Sequence, residues 1–451
     1  MKYNSFFRLI MFGFMFAFIA TSCVKEGPMG PAGADGKDGA AGAAGKDGAD
    51  GKDANETCII CHAPDAVDRV AVEFQLSKHE EGEAAMEEAG NAGCAPCHEQ
   101  EGFKYVVENN VSAAFILGSN GKYTNGYAAT AATAYGRLLC ATCHSSIHKT
   151  YASSDLPALT TTAAVPLTMW GGTKTVNLTA DGGMSNLCVK CHQPRPQTNL
   201  QNGNVQDYAA IAANPKGMAW DAENPTATTN IIRPSYRMHL HYGTVGAVYA
   251  GVGGVEFAGS LAYTSSAHPN VASCKDCHMG AMVGAAGGHS FKAKGNLTTC
   301  NAAGCHTTPV TSTSENLWVA PRKATKDLLD ALAAKLVVNG VEILNRDKDA
   351  TNLWVGLTKN NYDGYLNVYD PSLNNPALGT DNVTGPFQNP APAGSWTAEQ
   401  KAFNLTLPKL SLTNAQYGAI LNFQFCLREY SLGIHNFAYT KALLTNSIAV
   451  L

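Results

Sequence analysis

Residues 188–192 read Cys-Val-Lys-Cys-His. The same frame recurs at Cys58-Cys61-His62, Cys94-Cys97-His98, Cys140-Cys143-His144 and Cys274-Cys277-His278. A sixth, stretched copy runs Cys300-Asn-Ala-Ala-Gly-Cys305-His306. Zinc ribbons pair CxxC units and disulfide frameworks pair cysteines, but neither demands a histidine behind every pair. Covalent haem c does demand one: two thiols form thioethers with the porphyrin and the next imidazole takes the iron. The stretched copy widens the loop between the thiols at small closure cost. A disulfide is the alternative there.

Counting sharpens this reading. Six pairs use twelve of the 14 cysteines and leave Cys23 and Cys426. Cys426 lies in an apolar, helical-looking run and reads as a buried free thiol, with an intermolecular disulfide as the alternative. Of 13 histidines, His62, His98, His144, His192, His278 and His306 are proximal candidates. His79, His148, His241, His268, His289 and His435 then supply six distal candidates, with His239 as the substitute for His241. Six irons, each gripped by two imidazoles, would use them all. His148 follows His144 too closely to reach the far side of the same iron, so it serves a neighbour. His268 precedes Cys274 by six residues and is likewise expected on a different haem.

The chain begins with a charged segment (Lys2, Arg8), an apolar run from Leu9 to Ala20, and Thr21-Ser22-Cys23. That is an export signal, residues 1–22, too short for a membrane span. Ile19-Ala20-Thr21-Ser22-Cys23 resembles a bacterial lipobox, which makes Cys23 the lipidated mature N-terminus. Acyl chains anchor at about 0.8 kcal/mol per buried CH₂. An ordinary signal peptide with an incidental cysteine is the alternative. Glycine then recurs every third residue from Gly27 to Gly51 in a collagen-like stalk, residues 23–54. With only Pro28 and Pro31 in it, a single-chain spacer competes with a trimeric triple helix.

Residues 55–310 carry all the attachment sites, and residues 311–451 must fold back to bring His435 to the haems. The net charge of −4 and a charged fraction of 15% give no nucleic-acid signature. Val67, Val70, Ala71 and Phe74 mark one face of a helix leading to His79. Thr325 reads as an N-cap for a helix with Leu328, Leu329, Leu332 and Leu336 on one side and Gly340 past its end. Thr397 with Gln400 reads as a capping box. Thr413 starts a helix running towards Tyr430, Gly433 breaks it, and Asn436 caps a last one.

With these motifs in view, the chain resembles bacterial multihaem c-type cytochromes of the outer-surface lipoprotein kind. The resemblance rests on Ser77-Lys78-His79, on Cys94-Ala95-Pro96-Cys97-His98 with Glu101-Gly102-Phe103, and on His241-Tyr242-Gly243 leading to His268 and Cys274-Lys275-Asp276-Cys277-His278-Met279. Gly288-His289 and the terminal Gly433-Ile434-His435-Asn436 complete it. The last segment is similar to distal-ligand segments of multihaem nitrite and hydroxylamine enzymes and their electron-carrier relatives. No CxxCK motif occurs, so the Lys-ligated open iron of pentahaem nitrite reductases is missing. The resemblance covers roughly residues 55–310 and 413–445. It implies a fold that is mainly irregular with scattered α-helices and little β, a multihaem cytochrome c wrapped around a haem chain.

The expected cofactors are six haem c groups. The expected function is electron transfer through mostly bis-His irons at the cell envelope, lipid-anchored to the outer membrane, to other redox proteins or extracellular acceptors. No catalytic residue is assigned. The alternative is a reductase or oxidase of a small nitrogen or sulfur oxyanion with one open iron. A homotrimer or higher assembly is compatible with either.

Overall fold

The helix Asn414–Leu427 is buried all round: every residue in it except Gln416 is buried. Such a helix has no solvent face and must sit at the centre of a core. Thr413 starts it as expected: Gln416 N–H donates to Thr413 Oγ1 (3.2 Å), and Thr413 N–H donates back to Gln416 Oε1 (2.9 Å). Asn436 caps the last helix, Phe437–Val450, by accepting from Tyr439 N–H (3.3 Å).

The computed structural model describes residues 64–81, 91–119, 123–129, 137–145, 158–196, 206–235, 238–301, 305–346, 357–368, 397–399 and 409–451. Residues 56–451 form one compact unit. The leader, Cys23, the Gly-x-y segment, Cys58, Cys61, His62, His148 and Gln400 lie outside the described residues.

Thirteen helices run through the described residues. In chain order they are α1 Pro64–Gln75, α2 Lys78–Glu81, α3 Ala95–His98, α4 Gln100–Glu108, α5 Cys140–Cys143, α6 Met184–Cys191 and α7 Tyr208–Ala213. Then come α8 Val245–Ala250, α9 His268–Val271, α10 Cys274–His278, α11 Ala320–Lys335, α12 Asn414–Leu427 and α13 Phe437–Val450. The β-structure is five two-stranded antiparallel pairs of short strands. Helices are scattered and β-structure is minor, as the sequence predicts.

The hydrophobic core joins residues 165–257 to residues 329–444. Its central helix clamps loops with polar side chains as well as apolar ones. Asn422 receives Val255 N–H (2.8 Å) and donates to Val255 C=O (2.7 Å) and Ser447 Oγ (2.9 Å). Gln424 donates to the Met238 and Gly364 carbonyls (2.9 and 2.7 Å), and Thr244 Oγ1 donates to Phe425 C=O (2.8 Å). Asn436 reaches Tyr249 C=O (3.0 Å) and Asn446 reaches Leu261 C=O (2.8 Å). The last two helices thus hold segment 238–268, which carries His239, His241 and His268, by satisfying its buried backbone.

Two expectations need correction. Thr325 is not an N-cap: α11 begins at Ala320, with Pro321 in its first turn. Thr325 lies inside the helix, fully buried, and its Oγ1 donates back to Pro321 C=O at 2.9 Å. Asn339 and Gly340 (φ +49° and +77°) form the turn between strands Val337–Val338 and Val341–Glu342 rather than a helix stop. On α1 the helix is present, but Val67 is exposed and Phe74 only half-buried, whereas Glu73 and Ser77 are buried.

Candidate functional site

Each of the four described CxxCH motifs occupies a short turn of helix. In α3, α5, α6 and α10 the two cysteines stand three residues apart, which puts both thiols on one face. The first cysteine's carbonyl receives the histidine N–H in three of them: Cys94 to His98 (3.2 Å), Cys140 to His144 and Cys188 to His192 (both 2.9 Å). The stretched motif makes the same closure, His306 N–H to Cys300 C=O at 3.2 Å. The same two groups are thus joined across a loop two residues longer.

Residues between the cysteines stabilise these turns. Leu139 N–H donates to Thr142 Oγ1 (2.9 Å), and Ser273 N–H and Oγ donate to Asp276 Oδ2 (2.9 and 2.8 Å). After His98, the buried Glu99 accepts from Glu101 N–H (2.8 Å) and Gly102 N–H and so starts α4. Gly102 lies against Ala95: a Cβ there would stand 2.7 Å from that residue's backbone. Gly246 N–H donates to His192 C=O (2.9 Å), and a Cβ would come within 2.6 Å of that oxygen. Two attachment turns thus rely on close backbone approach that only glycine permits.

Five predicted proximal histidines each face a predicted distal one. The ring centroids are 6.0 Å apart for His192 and His79, 6.2 Å for His98 and His241, and 6.4 Å for His144 and His289. They are 6.1 Å apart for His306 and His268, and 6.2 Å for His278 and His435. An iron held by two imidazole nitrogens at about 2.0 Å each separates the ring centroids by about 6.3 Å. The spacing therefore fits one iron between each pair. His268 pairs away from the motif that follows it, and His241, rather than His239, faces His98. His239 Nδ1 instead accepts the His241 N–H at 2.9 Å.

Ring orientation is set by Nδ1 contacts. His278 Nδ1 donates to Phe291 C=O (2.8 Å) and His268 Nδ1 to Ile434 C=O (3.2 Å). His435 Nδ1 donates to Glu429 Oε2 at 2.6 Å. Tyr242 N–H lies 2.6 Å from His241 Nδ1. His289 takes its place through its backbone N–H, which donates to Glu73 Oε2 (3.1 Å). Where Nδ1 is committed to a carbonyl or carboxylate, Nε2 is left for a metal. Burial pushes His192 down to about 4, with neighbouring His79 adding to the effect, and burial also takes His241 to about 4. Both rings are then neutral at physiological pH, the form that ligates. Burial pushes the Glu429 carboxyl up, but the His435 ring, Ser431 and Gly433 N–H together bring it below its ordinary value.

The sulfurs give the order of the sites. Cys97 Sγ donates to Lys190 C=O (3.9 Å) and Cys191 Sγ to Pro96 C=O (3.8 Å), and Cys274 N–H donates to Ser185 Oγ on α6 (3.0 Å). Cys143 lies within electrostatic reach of Cys188 and Cys191, and Cys277 within reach of Cys300 and Cys305. The motif at Cys188–His192 therefore adjoins three others, and Cys274–His278 leads on to Cys300–His306. All the described cysteines are free thiols, Cys426 fully buried among them.

Apolar cover is thin beside these motifs. Val67, Val72, Leu139, Val271 and Val283 are all at least 46% exposed. A cavity of about 820 Å³ beside His289 is walled by Val70, Val72, Leu76, Met279 and Met282. Large apolar groups left bare next to paired imidazoles fit a macrocycle that would cover them. Among the described residues no three His, Cys, Asp or Glu side chains converge as a metal site. The histidines come in twos, so the remaining four donors to an iron would be porphyrin nitrogens.

Sequence reasoning did not find the pairing, the Glu429 and Glu73 contacts, or the Phe291 carbonyl. Pairing links residues far apart in the chain and has no local signature. Comparison with known proteins finds no matching family model, curated protein or solved structure.

Proposed function

We propose that the chain is a multihaem c-type cytochrome that carries electrons through six covalently attached haems at the cell envelope. One observation carries this reading: five motif histidines each face a different, separately supplied histidine at 6.0–6.4 Å. Haem iron, when bound, supplies a one-electron ferric/ferrous couple. The cysteine pairs would hold each porphyrin by thioethers, and the paired imidazoles would close both axial positions. A closed iron binds no substrate, so electrons pass through rather than being delivered to chemistry on the spot.

His62 would be the sixth proximal ligand, with His148 as its expected axial partner. The hydrogen bonds between neighbouring motifs favour a connected series, with the haem at Cys188–His192 as its junction. The polypeptide's part is to fix the rings, exclude water from the buried pairs and hold the haems in contact. Lipidated Cys23 and the Gly-x-y segment would tether this conduit to the outer membrane, where other redox proteins or extracellular acceptors receive the electrons.

Low-temperature EPR of the matured, purified protein tests the reading. Six low-spin ferric centres per chain are expected. A high-spin ferric signal displaced by nitrite or hydroxylamine would instead make the protein an oxyanion enzyme.

A further inference from the structure

The loop between α12 and α13 is built around one carboxylate. The Glu429 side chain is fully buried and accepts from His435 Nδ1 (2.6 Å), Ser431 Oγ (2.6 Å) and Gly433 N–H (2.9 Å). Ser431 Oγ also receives the His435 backbone N–H at 3.1 Å, so ring and backbone are tied to the same group. The loop reaches this arrangement through left-handed residues: Tyr430 (φ +63°), Leu432 (φ +60°) and Gly433 (φ +88°). Two of these carry side chains that disfavour that conformation, and such strain persists only where the surroundings over-determine it.

The other histidine rings are held differently. Neutral carbonyls of Phe291 and Ile434 serve His278 and His268, and Glu73 stops 3.7 Å from His289 Nδ1. The His278 and His435 rings are nearly parallel, with 17° between their planes, against 42–79° in the other four pairs.

We propose that Glu429 is a positioning residue that orients His435 and tunes the iron this histidine would hold, lowering its reduction potential. A carboxylate on Nδ1–H draws the proton towards itself and raises the basicity of the ring's other nitrogen. The more electron-rich ligand, with a full negative charge behind it, stabilises ferric over ferrous iron. That iron would belong to the motif at Cys274–His278, beside the motifs at Cys188–His192 and Cys300–His306, and would form an energetic step inside the series. The inference rests on the haem reading above.

The test uses the full, matured chain and potentiometric titration followed by EPR. In Glu429→Gln the neutral amide cannot hold the ring as an anion does. One centre rises in potential by a tenfold or greater change in its ferric/ferrous ratio, about 59 mV or more for one electron. That centre is the one that leaves the low-spin set in His435→Ala, and the others stay in place. Ser431→Ala removes one donor from the carboxylate, strengthens its pull on His435, and lowers the same centre. An unmoved potential in Glu429→Gln overturns the inference. If Glu429→Gln does not mature, an unmoved or raised potential in Ser431→Ala does so. Haem quantitation of the wild type separates the two levels: a chain with too few haems sinks the function reading itself, whereas full haem with unmoved potentials sinks only the role of Glu429.

Discussion

Replacing His241 by alanine gives a sharp test because His239 stands two residues away with the same chemistry. The His241 ring faces His98 at 6.2 Å, the separation that suits an iron between them. His239 is engaged through Nδ1 with the His241 backbone and lies against the Tyr242 and Tyr365 rings. Removing the His241 side chain takes one axial ligand from one iron. About one-sixth of the total haem then becomes high-spin in the ferric state, and the same fraction binds carbon monoxide when reduced. Removing His239 takes away the acceptor of the His241 N–H, worth about 0.5–1.5 kcal/mol, and leaves the spin count unchanged. Quantitative EPR and carbon monoxide difference spectra of the two variants, normalised to haem content, provide the assay. A high-spin centre in His239→Ala, with none in His241→Ala, would refute the pairing.

Further outcomes follow from other contacts. Gly102→Ala places a methyl against the Ala95 backbone and should cost about 1–3 kcal/mol, seen as a lower denaturant midpoint of the matured protein; an unchanged midpoint argues against that close packing. Asn422→Ala strips the Val255 amide and carbonyl of their partners and should destabilise by about 1–3 kcal/mol; retained stability would remove the clamp from the scaffold of segment 238–268. Burial, with Arg233 adding to it, lowers Lys409 to about 7, below its unfolded value of about 10.4. Between those values the unfolded chain binds more protons at this site, so stability rises with pH from 7 towards 10. Lys409→Met should flatten that rise in denaturation midpoints, and an identical slope would contradict the assignment. The near-parallel rings of His278 and His435 predict a rhombic low-spin EPR signal, and the 79° pair His268 and His306 a strongly anisotropic one. Identical signals for all centres would conflict with these orientations.

Much of the candidate site was legible because each motif is local. Two thiols on one turn and a histidine behind them need only a few consecutive residues, and four of the six motifs fall among the described residues in that form. The caps at Thr413 and Asn436 were readable for the same reason. Thr325 misled because a threonine before a leucine stripe can either cap a helix or bond back within one; Pro321 was the better start signal. Asn339-Gly340 was a turn signal taken for a helix stop. The apolar face of α1 was visible in the sequence, but its lack of protein cover was not, since that depends on what packs beside it. The partner of His241, the partner of His268 and the carboxylate under His435 are tertiary facts. They become visible only when α12 and α13 bring residues 414–450 against segment 238–268.

An experimental density map of the matured chain at near-atomic resolution is the most direct test. It should show porphyrins bonded to Cys94–Cys97, Cys140–Cys143, Cys188–Cys191, Cys274–Cys277 and Cys300–Cys305. Their irons should lie between His98 and His241, His144 and His289, His192 and His79, His278 and His435, and His306 and His268. Density showing these histidines joined in other pairs, or thiols bearing no macrocycle, would contradict it.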